Sequence, residues 1–135
     1  MSTKLQAGFL MFLSLALLAG CKDAGIEPQS DPGTPPPPAA EVSFSQKVLP
    51  ILVVQGCVSC HGGSGGLNVG TVADLFAGGN HGPAVVPGNG AGSNLVKKLI
   101  APPPFGGRMP LGGAQLPDST INVIRTWINQ GAKNN

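Results

Sequence analysis

Apolar residues at helical spacing predict most of the secondary structure in this chain. The clearest pattern is near the end, where four apolar residues fall three or four positions apart: Ile121, Ile124, Trp127 and Ile128. Such spacing is typical of one buried helical face. Asp118 or Ser119 is expected to cap this helix at its start, and Gly131 is expected to close it.

Further short helices are predicted ahead of the last one. Ser43 with Gln46 three positions later has the pattern of a capping box, and Pro50 should kink or restart the helix that it opens. Residues 71–77 predict another short helix, and Ser93 is expected to cap a two-turn helix that follows it. No stretch shows convincing strand alternation, so the sequence predicts an all-α fold of three to five short helices joined by Gly/Pro-rich loops.

The composition narrows the class of protein. The chain has 135 residues, enough for one domain, and its formal net charge of +2 argues against a nucleic-acid-binding surface. There are 21 Gly and 14 Pro without a collagen period, so loops must be plentiful. Aromatic residues make up only 4% of the chain. Because so few large side chains would leave a thin core, we expect a non-protein group to fill part of it.

The first twenty residues predict an export signal rather than part of the fold. Lys4 precedes the apolar run Ala7–Leu18, which is shorter than the roughly 20 residues that span a bilayer. The segment Leu-Ala-Gly-Cys ending at Cys21 resembles the lipobox of bacterial lipoproteins, in which the cysteine carries the lipid anchor. An ordinary cleavable signal that ends near a cysteine is the alternative.

Residues 21–41 are predicted to be a lipidated cysteine followed by a disordered, Pro-rich tether. They include the run Pro35 to Pro38 and almost nothing to bury. Polyproline II geometry extends about 3.1 Å per residue, so this tether would hold a domain away from a membrane. The folded domain is expected to be residues 42–135.

The motif with the most chemical content is Cys57-Val58-Ser59-Cys60-His61, which has the spacing of c-type haem attachment. Two thiols three positions apart lie on one side of a helical turn, where they reach one haem edge, and His61 then points to the iron. The alternatives are a thioredoxin-like pair, which would need a βαβ context, a zinc site that also used His81, and a chance match.

The count of sulfur-bearing residues favours the haem interpretation. Of three cysteines, Cys21 is assigned to lipid and the other two to haem, so no thiol is left over in an exported chain. Met109 is the only methionine after the signal, and it lies in a Gly/Pro loop with no helical face to fill. We therefore expect Met109 to be the axial ligand opposite His61. His81 competes for that position, although a solvent-exposed loop histidine needs no role.

These segments resemble the class I cytochrome c superfamily, particularly bacterial domains of the planctomycete type. The similar stretches are VLPILVVQGCVSCHG, GPAVVPGN, RMPLGG and INVIRTWINQGA. The resemblance implies one covalently bound haem c, with Cys57 and Cys60 as thioether residues and His61 and Met109 as axial ligands. It also implies that the first and last helices cross, and that the Pro83 carbonyl orients the proximal histidine.

The resemblance implies a monohaem electron carrier between redox protein partners, not an enzyme, and the lipobox-like segment implies that it is tethered to a membrane outside the cytoplasm. Lys22 after the lipidated cysteine favours the outer membrane. Arg108 is expected to meet either a haem propionate or solvent, and Lys97 and Lys98 either a docking partner or solvent. Two alternatives remain: a haem-based sensor of small ligands, and an accessory subunit of a larger oxidoreductase. The role of the glycine-rich run 62–66 is left open.

Overall fold

The computed structural model describes residues 40–135, and within this range the chain forms five short α-helices and no named strand. The helices are α1 (Leu49–Val54), α2 (Cys57–Cys60), α3 (Val72–Ala77), α4 (Asn94–Leu99) and α5 (Asp118–Asn129). A π-helical turn, Phe44–Val48, runs directly into α1, and a 3-10 turn, Ser64–Gly66, lies between α2 and α3. The expected all-α fold is confirmed. The predicted signal, Cys21 and the tether up to residue 39 lie outside the described residues.

The core is built around α5, and its four apolar residues, Ile121, Ile124, Trp127 and Ile128, are all buried as the spacing predicts. The first helical segment packs against it through Phe44 and Val48. Ser43 caps that segment by accepting a hydrogen bond from the Gln46 N–H, and the backbone changes from π to α geometry one residue ahead of Pro50. Within residues 40–135, no helix is long and apolar enough to cross a membrane.

The starts of the other helices follow the sequence predictions only in part. Thr71 caps α3, because its hydroxyl accepts from the Asp74 N–H at 3.1 Å and donates to the Asp74 carboxylate at 2.6 Å. The expected cap at Ser93 was wrong. Ser93 is fully buried, and its hydroxyl bridges the Val86 N–H and the Asn89 carbonyl of the preceding loop. At α5 the helix already includes Asp118, and no side chain caps it.

The start of the described chain is fastened to its end. The Gln130 side chain accepts from the Val42 N–H at 2.7 Å and donates to the Ala40 carbonyl at 3.1 Å. Glu41 forms an exposed ion pair with Lys133. Ala40 and Glu41, which the sequence assigns to the end of the tether, therefore contact residues that follow α5.

Candidate functional site

A cavity of about 280 Å³ lies beside α2 and α4, just below the range of about 300–1,000 Å³ for small-molecule sites. Its walls come from α2, the loops on either side of α3, both ends of α4 and the loop before α5. The apolar side chains that line it are Leu67, Val69, Ala84, Leu95, Leu99, Phe105 and Leu111. His61 and Met109 line the same cavity, although 48 residues separate them in the sequence.

The cysteine pair is presented by the single turn of α2. Gly56 precedes this turn with φ +72°, a left-handed conformation that glycine adopts without strain. Cys57 is half-buried and lines the cavity, whereas Cys60 is exposed. Burial raises the pKa of the Cys57 thiol, so this sulfur stays protonated to higher pH than an exposed thiol. One turn thus places one sulfur at the cavity wall and the other at the surface.

His61 follows at the end of the same turn, where its backbone N–H donates to the Cys57 carbonyl at 2.8 Å. The imidazole Nδ1 lies 3.2 Å from the Ser64 carbonyl oxygen. In the tautomer protonated at Nδ1, the ring donates to this carbonyl and keeps Nε2 free as a metal ligand. Such a contact fixes the orientation of a ligating histidine and raises its basicity.

The glycine-rich run 62–66 is the loop that supplies this carbonyl. The Asn80 N–H donates to the Gly65 carbonyl at 2.9 Å, which joins the run to the loop after α3. A Cβ on Gly79 would lie 2.7 Å from the same Gly65 carbonyl oxygen. The two loops therefore approach at a distance that only glycine allows, and this contact locates the Ser64 peptide next to His61.

Met109 is half-buried on the side of the cavity formed by the loop between α4 and α5. Its N–H donates to the Lys98 carbonyl at 2.8 Å, which ties the loop to the last turn of α4. An imidazole and a thioether at one cavity, with a thiol in its wall, form a donor set suited to a haem iron. No group of three or more His, Cys, Asp or Glu side chains that could hold a metal ion occurs in residues 40–135.

In the structure, Pro83 and Arg108 form hydrogen bonds with other groups of the protein. The Pro83 carbonyl accepts from the Asn94 amide at 3.1 Å, and the carbonyl that His61 meets is that of Ser64. The role predicted for Pro83 has no counterpart in these contacts and stays a prediction. Arg108 donates to the Met109 carbonyl at 3.1 Å and to the Gly113 carbonyl at 2.7 Å, so its guanidinium binds the loop itself.

Two cavity residues were given no role at the haem by the sequence. His81 is exposed, as expected, but it lines the cavity and stacks on Phe105 with ring centroids 3.9 Å apart. Phe105 lies in a Pro/Gly loop without periodicity, so no pattern predicts that its ring reaches His81. The contact between the Ser64 carbonyl and His61 could not be predicted from the sequence either, because every residue type has a backbone carbonyl.

Comparison with known families agrees with this geometry. Residues 57–110 match the family model described as Planctomycete cytochrome C, so the chain contains a cytochrome c-type domain. The matched segment begins at Cys57 and includes the cysteine pair, His61 and Met109. Searches of curated proteins and of solved structures gave no match. A cytochrome c-type domain carries covalently bound haem c, and the apolar cavity with its sulfur and imidazole groups fits that cofactor.

Proposed function

We propose that this cytochrome c-type domain is a monohaem carrier of single electrons that works outside the cytoplasm. The observation that carries the proposal is that His61 and Met109 line one apolar cavity with Cys57 in its wall. With both of these residues bound to one haem iron, no coordination site would be left for a substrate. This arrangement supports electron transfer rather than bond-making chemistry.

Each residue has a defined part in this function. Cys57 and Cys60 would hold the haem by thioether bonds, and the haem would supply a reversible one-electron iron couple. His61, oriented through the Ser64 carbonyl, would supply the proximal nitrogen, and Met109 the distal sulfur. A Met/His pair raises the reduction potential, and the apolar walls keep water from the iron.

The beginning of the sequence supports the proposed location at a membrane. Residues 1–20 have the features of an export signal, and Cys21 falls at the lipid-bearing position of a lipobox. The proposed protein is anchored by lipid at Cys21, with the outer membrane favoured by Lys22, and exchanges electrons with redox proteins. We expect a Cys21→Ser variant to leave the membrane fraction and appear in the soluble extract. Retention of this variant in the membrane fraction would contradict the lipid anchor.

The axial ligation is tested by absorption spectra of the mature holoprotein. Methionine sulfur on ferric haem gives a weak band at the red end of the spectrum, and we expect this band in the wild-type protein. Met109→Ala should abolish it and allow carbon monoxide to bind the ferrous form rapidly. Gln115→Ala is the control, because it trims an exposed side chain further along the same loop.

The opposite result would favour a different function. If the wild-type protein lacks the band and its ferrous form binds carbon monoxide at once, Met109 is not a stable ligand. A haem-based sensor of small ligands would then explain the open coordination site better than an electron carrier. Co-purification with a larger oxidoreductase would instead keep electron transfer and identify the chain as an accessory subunit.

A further inference from the structure

The loop that carries Met109 has no regular secondary structure of its own. Residues 101–117, between α4 and α5, contain only turns and bends. A thioether in such a segment needs other contacts to stay at one place, because a free loop would lose conformational entropy on ordering. The contacts that hold this loop therefore decide how well the sulfur is positioned.

Lys98 makes three of these contacts. Its ammonium donates to the carbonyls of Phe105 and Gly107, both at 2.5 Å. Its own carbonyl accepts from the Met109 N–H at 2.8 Å. One residue at the end of α4 thus fixes the backbone at three points within five positions, the last of which is Met109.

The same ammonium also lies against the ring of Phe105. The distance from Nζ to the ring centroid is 4.7 Å, within the range of a cation–π contact. His81 lies against the same ring, with its centroid 3.9 Å away. The Lys98 side chain is half-buried and lines the cavity, so these contacts form at the site rather than on a distant surface.

Arg108 secures the other side of Met109. Its guanidinium donates to the carbonyl of Met109 and to that of Gly113. Hydrogen bonds from a charged donor are stronger than those between neutral groups. The segment from Phe105 to Gly113 is therefore bound by two cations, one on each side of Met109.

We propose that Lys98 is a positioning residue for Met109, with Arg108 completing the support. This inference rests on the proposed function, because it assumes that Met109 is the axial ligand. The Lys98 ammonium makes no hydrogen bond to the Met109 sulfur. It acts on the position of that sulfur through the loop backbone, by binding the carbonyls of Phe105 and Gly107. Without the Lys98 ammonium the loop would open more readily. Met109 would then leave the iron at a lower temperature than that at which the helices unfold.

The neighbouring lysine provides a matched control. Lys97 lies on the same helix, is also half-buried and makes no side-chain hydrogen bond among the contacts of residues 40–135. Lys98→Leu and Lys97→Leu remove the same charge from adjacent positions. A change in thermal stability that comes only from the lost charge should appear in both variants. A change that comes from the lost loop contacts should appear in Lys98→Leu alone.

The experiment follows the red-end band and the helical circular dichroism of each ferric holoprotein during warming. In Lys98→Leu we expect the midpoint of band loss to fall by about 5 °C or more relative to Lys97→Leu, on the scale of one lost interaction. The midpoint of helix loss should change less, so the two transitions separate. Carbon monoxide should bind ferrous Lys98→Leu faster, and Lys98→Arg, which keeps a charged donor, should restore much of the band.

The two proposals fail in different ways. Absence of the band from the wild-type protein would overturn axial ligation by Met109, and the positioning role with it. A wild-type band with equal midpoints in Lys98→Leu and Lys97→Leu would overturn the positioning role alone. If Lys98→Leu does not accumulate as holoprotein, Lys98→Gln is measured against Lys97→Gln with the same criteria.

Discussion

The rings of Phe44 and Trp127 pack against each other with centroids 5.2 Å apart and planes tilted by 36°. This contact joins the first helical segment to α5, as the family resemblance implied. The Trp127 indole N–H also donates to the Lys133 carbonyl at 2.9 Å, so the ring connects three parts of the chain. Both residues are buried, so in a domain with few aromatic residues this pair is part of the hydrophobic core.

Trp127 should therefore be among the most sensitive positions for stability. Trp127→Ala removes a fully buried ring and should lower the free energy of unfolding by about 3–5 kcal/mol. Trp127→Phe keeps an aromatic ring beside Phe44 but loses the hydrogen bond to the Lys133 carbonyl. It should lower the free energy of unfolding by less than Trp127→Ala, with about 1 kcal/mol of the decrease due to that bond. Urea unfolding of the holoproteins measures both values. Equal losses in the two variants would show that ring packing is not the larger contribution.

The sequence predicted helices better than it predicted their ends. The burial of Ile121, Ile124 and Ile128 follows from spacing alone, because a helix places such residues on one face. Ser93 has the residue type and position of a cap, yet its hydroxyl bonds inside the preceding loop. That loop leaves a part-buried N–H at Val86 and a carbonyl at Asn89 that need hydrogen-bond partners, and this need depends on tertiary packing that no local pattern records.

Substitutions at Ser93 separate the two interpretations. A helix cap would accept Asp in place of Ser with little change in stability. In the buried site, Ser93→Asp would bury a carboxylate beside the carbonyl oxygens of Val86 and Asn89, which is costly. We expect Ser93→Ala to lower the free energy of unfolding by about 1–3 kcal/mol through the unpaired groups at Val86 and Asn89. Ser93→Asp should be worse than Ser93→Ala, and the reverse order in urea unfolding would restore the capping interpretation.

At the candidate site too, the sequence predicted some features and not others. The spacing of Cys57, Cys60 and His61 indicates the cofactor, because attachment chemistry requires those side chains at those positions. Met109 was identified as the only methionine left after the signal, and the structure places it at the same cavity as His61. The contacts that orient these ligands use backbone carbonyls. Since every residue has a carbonyl, its position depends on the fold rather than on residue type.

The contacts between the start and the end of the domain should differ in strength. Gln130→Ala removes the acceptor of the part-buried Val42 N–H and should cost about 1–3 kcal/mol of unfolding free energy. Glu41→Gln breaks an exposed ion pair and should cost less than about 1 kcal/mol, an amount that salt reduces further. Urea unfolding at low and high salt measures both. A larger, salt-sensitive loss in Glu41→Gln would mean that the ion pair, and not the glutamine, fastens the segment.

The orientation of His61 by the Ser64 carbonyl is tested at Gly79. Gly79→Ala would place a Cβ 2.7 Å from the Gly65 carbonyl oxygen, and because this is backbone, the loop that holds the Ser64 peptide must shift. Gly70→Ala is the matched control, since its Cβ would meet nothing within 4 Å.

A weaker hydrogen bond at Nδ1 makes His61 a less basic ligand, which stabilises ferric iron less. The reduction potential of Gly79→Ala should therefore rise relative to both the wild-type protein and Gly70→Ala, as measured by a spectroscopic redox titration. The red-end band should remain in both variants, because Met109 lies on the other loop. If Gly79→Ala keeps the wild-type potential, the Ser64 carbonyl does not set the basicity of His61, and the Pro83 carbonyl becomes the acceptor to test next.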